Sequence, residues 1–292
     1  MLKKGFYTAV GTPMDSEGAI LTDSYKRQID DQIKAGASGI LLYGTMGMGG
    51  CVKDSEYARG IEAAIEVIDS RVTLLVGASE NSLARVRDKF DMMNTYDGID
   101  GIVMTTPYYF GMSDANIVNF FEKTAVMTDK DYYLYDIMPV TNLKIKYEMV
   151  AELAKIKNVK GIKAGDAIMI KKLIDNPPKD DFTAIFSNSD LFSMGNLYGM
   201  EWYLDGIFSC MPKTIEKVQK GYNSGDFEAA KAALKNMMDA RDIMLGAGIW
   251  PAFTYAMNEL GYEGNFAPDY EVDIPDANKA TVRKALQDIC EL

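Results

Sequence analysis

The sequence contains no histidine. That removes at once every catalytic triad, metal site and proton shuttle built on imidazole. Cysteine is scarce: Cys51, Cys210 and Cys290 stand far apart and are odd in number. With no CxxC pair, neither a zinc site nor a disulfide framework is indicated, and the plain reading is reduced thiols in a cytoplasmic protein. Positive charge is short as well, 31 Lys+Arg against 42 Asp+Glu, for a net charge of −11. That sign argues against nucleic acid or an anionic membrane as a partner, though not against a small anionic substrate. No apolar run is long enough to span a bilayer. The N-terminal MLKKGFYTAVGTPM lacks the apolar core of a signal peptide. No Pro/Ser-rich linker or low-complexity segment marks a domain border.

What remains is an ordinary globular composition, 48% apolar and 25% charged over 292 residues, enough for a large core. Short apolar runs recur at 5–13, 39–44, 72–79, 101–109, 132–137, 159–165, 182–189 and 206–212. Segments such as SYKRQIDDQIKAG and SEYARGIEAAIEVIDS lie between them, with apolar residues at helical spacing. Strands alternating with helices predict parallel βαβ units, and about eight of them predict a (β/α)₈ (TIM) barrel. Gly-Ile opens every second run, at Gly39-Ile40, Gly101-Ile102, Gly161-Ile162 and Gly206-Ile207. Alternate barrel strands fill the same interior layers, so a shared start suits that fold. After Pro212 the pattern is helical throughout, with a last helix near 277–290. The expected organisation is a catalytic barrel over 1–222 and a C-terminal helical extension over 223–292 packed on it.

In such a barrel, chemistry sits at the C-terminal ends of the strands. The second run ends in LLYGTMGMGG, which fits neither a Walker loop nor a dinucleotide fingerprint. A cradle of backbone N–H groups for an anion, before a helix from about Asp54, and a plain tight turn account for it equally well. Lys163 lies within an apolar strand among small residues. It is either a strand-end lysine with its head in water or an inward amine, and shielded amines attack carbonyls. Tyr135 ends the neighbouring fifth strand and can reach the same barrel mouth, where tyrosine serves as a general acid and base. The fourth strand ends in Thr105-Thr106-Pro107-Tyr108-Tyr109, also readable as a Pro-terminated strand with a surface aromatic pair.

Together these positions resemble the dihydrodipicolinate synthase/N-acetylneuraminate lyase family over nearly the whole chain. The matching pieces, in order, are Thr12-Pro13, Gly44-Thr45-Met46-Gly47 for the family's GTTGE or GSTGE, and Gly77 with Ser79. They continue with Thr106-Pro107-Tyr108-Tyr109, Tyr135-Asp136 for the family's Tyr-Asn, Gly161-Ile162-Lys163 and Gly206-Ile207-Phe208-Ser209. The resemblance implies a class I aldolase or lyase in which Lys163 forms a Schiff base with pyruvate or another 2-keto acid. It implies that Tyr135 moves protons, that Thr45 links Tyr135 to a Tyr109 supplied by a neighbouring subunit, and that the N–H groups of Thr45 and Met46 hold the carboxylate. Gly44, Gly47, Ser189, Asp190, Ile207 and Ser209 would complete the substrate contacts. It implies no metal and no organic cofactor, an aldehyde as second substrate, and a homo-oligomer, a dimer or tetramer.

The departures bear on the substrate. Met46 and Met48 stand where relatives carry Thr and Glu, which looks closer to the GTTGLG of sugar-acid aldolases. Val140 and Thr141 occupy the place where the synthase branch keeps an arginine for a second carboxylate, and the tyrosine motif is one residue longer before Pro139. Of the sialic acid branch's Asp-Glu pair only Asp190 remains, followed by Leu191, and Ser209 is the candidate replacement for a polyol contact. The expected reaction is cleavage or condensation of a 2-keto-3-deoxy acid. Dihydrodipicolinate synthesis and dehydration of a keto-deoxy sugar acid are alternatives on the same chemistry. A non-catalytic 2-keto acid-binding barrel is the alternative from another class. A phosphate-binding barrel lacks its glycine-rich loop after the seventh or eighth strand.

Overall fold

A strand covered on both faces needs apolar residues at nearly every position. Ile40-Leu41-Leu42, Leu74-Leu75-Val76 and Ile102-Val103-Met104 supply them, and all nine residues are buried. The computed structural model, which describes residues 1–292, contains eight strands. They are β1 Gly5–Ala9, β2 Gly39–Leu42, β3 Thr73–Gly77, β4 Gly101–Thr105, β5 Asp131–Asp136, β6 Val159–Ala164, β7 Thr183–Phe186 and β8 Trp202–Asp205. They follow one another in chain order around a closed barrel, as the alternation of strand and helix predicts. Amphipathic helices alternate with the strands. In the helix Thr22–Lys34 the buried Tyr25, Gln28, Ile29 and Gln32 recur at three- and four-residue intervals. No helix is long and apolar enough to cross a membrane.

The elements divide between two compact units, one of Met1–Lys4 with Thr73–Leu204 and the other of Gly5–Val72 with Asp205–Leu292. In the first unit, parallel pairing sets Thr105 beside Tyr135, Tyr135 beside Lys163, and Lys163 beside Ile185. Side chains two residues apart on a strand share a face, so Tyr133 lies on the face of Tyr135. Its fully buried ring explains two glycines. A Cβ on Gly101 would stand 2.7 Å from that ring, and one on Gly161 would stand 2.9 Å from it and 2.3 Å from Thr183 O. The Gly-Ile of β4 and β6 therefore records the room needed by one tyrosine on the strand between them. As a strand start, Gly-Ile holds for Gly39 of β2 and Gly101 of β4, but Gly161 is the third residue of β6.

The second unit joins β1 and β2, paired at Tyr7–Gly39 and Thr8–Ile40, to the C-terminal helices. These are Pro212–Ser224, Phe227–Gly246, Ile249–Glu259 and Asp276–Asp288. Gly225, at φ +77°, breaks the first from the second. Two buried glutamines act as staples. Gln28 both donates to and accepts from the backbone of Gly11, at 3.0 Å each way. Gln32 accepts from Thr8 Oγ1 at 2.8 Å and donates to Phe208 O at 2.9 Å. The chain end is held too: the buried Glu291 carboxylate accepts the Lys213 and Thr214 N–H groups, at 3.1 and 2.6 Å, at a helix start.

One expectation is overturned. The run 206–212 is not the eighth strand, which is Trp202–Asp205. Asp205 Oδ1 accepts the Ile207 N–H at 2.9 Å, and the chain turns into the single 3₁₀ turn Ile207–Cys210. Gly206 therefore opens no strand.

Candidate active site

Lys163 and Tyr135 are brought together. They are register partners near the C-terminal ends of β6 and β5, the end where such barrels carry active sites. Lys163 is 6% exposed and Tyr135 7%, which excludes the reading of a strand-end lysine with its head in water. Lys163 Nζ lies 3.8 Å from the centroid of the Tyr135 ring, within the range in which an aromatic face attracts an ammonium. No carboxylate pairs with Lys163. Asp166, the nearest in sequence, and Asp136, beside Tyr135, are both bound to Lys144 instead. A lysine amine held at a barrel mouth is placed to attack a carbonyl.

The loops after β3 and β4 are tied together. Ser79 Oγ accepts the Thr105 N–H at 3.0 Å, and Asn81 Oδ1 accepts the N–H groups of Tyr108 and Tyr109 at 2.9 and 3.1 Å. Beyond this anchor Tyr109 and Phe110 project outward, 78% and 69% exposed, with their rings edge to face at 4.8 Å. Tyr109 thus does not join Lys163 within the first unit. Ser189 opens a 3₁₀ turn after β7 and is buried, whereas Asp190 beside it is exposed.

In the second unit LLYGTMGMGG is a compact double turn. Met48 N donates to Thr45 O at 3.2 Å, Gly49 N to Gly44 O at 3.2 Å, and Cys51 N to Met48 O at 2.7 Å. None of these closing bonds uses the N–H of Met46 or Gly47. Tyr43 and Met48 are both left-handed, at φ 53°, a conformation that costs a non-glycine residue about 1 kcal/mol or more. The turn is over-determined around them. Tyr43 OH donates to Tyr57 O and Tyr57 OH to Gly49 O, each at 2.9 Å, and Thr12 Oγ1 donates to Gly47 O at 2.6 Å. A Cβ on Gly49 would stand 2.1 Å from Tyr43 O, so glycine is obligatory there. Thr45 and Met46 are half-buried at the turn's tip. The following helix starts only at Asp54, so the N–H groups of Gly44–Gly47 belong to a turn and not to a helix end.

The Met46 side chain lies on Gly206, where a Cβ would come within 2.1 Å of Met46 Cγ. That contact accounts for the fourth Gly-Ile glycine. Ile207 is buried in the turn that follows. Ser209 is fully buried and its Oγ donates to Ala9 O at 3.0 Å. This hydroxyl fastens the turn to β1, so the expected polyol contact is corrected: Ser209 is a structural tie.

Two residues near the pair escaped sequence reasoning. Lys144 Nζ bridges Asp136 and Asp166, at 3.0 Å from the latter's Oδ2. Burial alone would push the Lys144 ammonium down, but the two carboxylates outweigh it and hold its pKa above the ordinary value. For Asp166 burial is likewise overcome, by the Met169 N–H and Lys144, and its pKa is lowered. Asp166, just before a helix, has the signature of an N-cap; nothing in the sequence pairs it with Lys144.

With this geometry in place, comparison with known proteins is direct. The model of the Dihydrodipicolinate synthetase family matches residues 2–287. A 4-hydroxy-tetrahydrodipicolinate synthase of Escherichia coli is 26% identical over 290 residues, 97% of each chain. That of Ligilactobacillus salivarius is 24% identical over 257 residues, 87% of this chain and 88% of the relative. Among solved structures, Escherichia coli YagE, a prophage protein of the dihydrodipicolinic acid synthase family in complex with pyruvate, matches with TM-score 0.90 at 21% identity over 100% of both chains. The dihydrodipicolinate synthase of Thermotoga maritima matches equally, TM-score 0.90 and 21% identity over 100% of both chains. These structures speak for the fold, and the match of the family model across almost the whole sequence settles membership: the chain belongs to the dihydrodipicolinate synthetase family.

Proposed function

We propose that this protein cleaves or forms a 2-keto-3-deoxy acid through a Schiff base at Lys163, with pyruvate as the constant part of the substrate. Family membership carries the reaction class, a pyruvate-dependent Schiff-base aldolase or lyase. The assignment to residues rests on one observation: the buried Lys163 amine, without a carboxylate partner, lies 3.8 Å from the Tyr135 ring centroid at paired strand ends. The pyruvate complex of YagE supports the choice of keto acid.

The chemistry follows from these groups. The Lys163 amine adds to the keto carbon, and the carbinolamine loses water to give an iminium. In cleavage, the bond between the third and fourth carbons breaks and its electron pair flows into the iminium, leaving an enamine of pyruvate. The proton of the fourth carbon's hydroxyl leaves as the aldehyde forms. Tyr135 carries protons to and from the carbinolamine and this hydroxyl. Thr45, on the turn after β2, serves the same proton path. The N–H groups of Thr45 and Met46, at the tip of that turn, suit the keto acid's carboxylate.

Other positions bear on the rest of the substrate and on assembly. Val140 and Thr141 offer no cation to a second carboxylate, which favours a neutral, hydroxylated aldehyde over a charged semialdehyde. Tyr109, with its ring in solvent, fits a residue donated to a neighbouring copy, and we place the protein among homo-oligomers on that ground. The three free cysteines support a reducing, cytoplasmic setting.

The test is a turnover screen of 2-keto-3-deoxy acids, following pyruvate release, with Lys163→Ala as control. Pyruvate released by the native chain alone supports the reading. Water loss without pyruvate release would reassign the enzyme as a dehydratase on the same Schiff base. Binding without turnover across the panel would contradict catalysis.

A further inference from the structure

We infer that Lys144 is a positioning residue for Tyr135 and Lys163, acting as a clasp between the ends of β5 and β6 through Asp136 and Asp166. The inference rests on the Schiff-base reading and adds to it a residue that touches no substrate.

The path is short. Asp136 directly follows Tyr135 and is the last residue of β5, so its side chain leaves the opposite face of the strand. It is buried there, with 5% of its side chain exposed, and Oδ1 accepts the Ile145 N–H at 3.0 Å while Oδ2 takes the Lys144 ammonium. The same ammonium lies 3.0 Å from Oδ2 of Asp166. Asp166 follows Lys163 by three residues and caps the helix Ala167–Asp175, its Oδ1 accepting the Met169 N–H at 3.0 Å. One ammonium therefore ties the residue after the catalytic tyrosine to the turn after the catalytic lysine. It also pins the 137–146 loop, whose tip carries the exposed Met138 and Val140.

The electrostatics make the clasp consequential. Two carboxylates share one ammonium, and Lys144 is only 33% exposed. This is no free surface pair, of the kind that contributes little. Without Lys144, Asp136 keeps a buried carboxylate with one backbone N–H and faces Asp166 unscreened. Such a group swings towards water, and that response moves the backbone next to Tyr135. A shift of about 1 Å between reacting groups costs up to about a hundredfold in rate. The carboxylate contacts proposed at Thr45 and Met46 lie on another loop, so pyruvate affinity is not affected.

The experiment compares native protein with Lys144→Met, Lys144→Arg and Asp166→Asn, the last keeping an N-cap while losing the charge. Each is checked for native thermal unfolding, then measured for kcat, for KM of the keto acid and for the rate of borohydride trapping with pyruvate. The expected result for Lys144→Met is a kcat lowered about 10- to 100-fold at unchanged KM, with trapping slowed but still complete. Lys144→Arg should recover most of kcat, and Asp166→Asn should fall between. A folded Lys144→Met with native kcat and trapping rate overturns the inference, and so does a loss that Lys144→Arg does not repair. If the native protein itself fails to trap pyruvate, the Schiff-base reading has failed instead, and the two failures are told apart by that control.

Discussion

Replacing Tyr135 by phenylalanine separates chemistry from packing at this site. The substitution deletes one oxygen and keeps the ring, so the buried surface and the 3.8 Å approach of Lys163 Nζ to the ring face persist. Loss of a single hydroxyl changes stability by only about 0.5–1.5 kcal/mol. Loss of a general acid/base lowers the rate about 10²- to 10⁴-fold, which at about 1.4 kcal/mol per tenfold is about 3–5 kcal/mol of transition-state stabilisation. Tyr135→Ala behaves differently: it removes the ring from a 7% exposed site and costs about 3–5 kcal/mol of folding stability as well. The assay is kcat beside the thermal midpoint for both variants. Tyr135→Phe should be catalytically crippled and almost normally stable, and Tyr135→Ala should lose both. A Phe variant that turns over within about threefold of the native rate would refute the proton-transfer role, because a general acid/base typically contributes about 10²- to 10⁴-fold.

Other consequences are as concrete. Gly161→Ala places a methyl 2.3 Å from Thr183 O and 2.9 Å from the Tyr133 ring, so it should destabilise by about 1–3 kcal/mol or more in denaturant unfolding. Gly206→Ala should destabilise by driving a methyl to 2.1 Å from Met46 Cγ and 2.4 Å from its Cβ, and Met46→Gly, which removes both atoms, should relieve it, giving a double-mutant coupling of about 0.5–3 kcal/mol. Tyr109→Ala should leave thermal stability unchanged, since its ring is 78% exposed, but lower turnover; unchanged turnover would remove Tyr109 from the site. Burial raises the pKa of Glu291 against the N–H groups of Thr214 and Lys213. A raised folded pKa contributes stability at pH values below the unfolded pKa, and that contribution fades as pH rises through the folded value. The stability of the native chain relative to Glu291→Gln should therefore fall as pH rises above the ordinary glutamate value of about 4.3, read from denaturant midpoints.

The barrel was legible because each buried parallel strand is an apolar run, and Lys163 was legible because a charged residue interrupts one. Tyr135 followed from strand adjacency, and the register confirms the neighbourhood. The eighth strand was not legible. It is four residues long, follows Glu201 and ends in Asp205, so charge at its borders masks it, while the apolar 206–212 run that resembles a strand holds the 3₁₀ turn Ile207–Cys210. Gly-Ile opens β2 and β4 as the periodicity predicts, but Gly101, Gly161 and Gly206 answer to single large side chains, Tyr133 and Met46, supplied from elsewhere in the chain. Ser209 carried a motif position and spends its hydroxyl on Ala9. Lys144 was invisible because its significance lies in two carboxylates on different loops. Single-residue chemistry can be read along a chain; a bond between distant loops needs the fold.

The account stands most directly on whether Lys163 forms the iminium. Incubation of the native protein with pyruvate and borohydride, followed by intact mass and peptide mapping, gives the answer. One reduced pyruvyl group on the Lys163 peptide, absent from Lys163→Ala, is the expected result. No adduct, or one that persists in Lys163→Ala, would contradict the central claim.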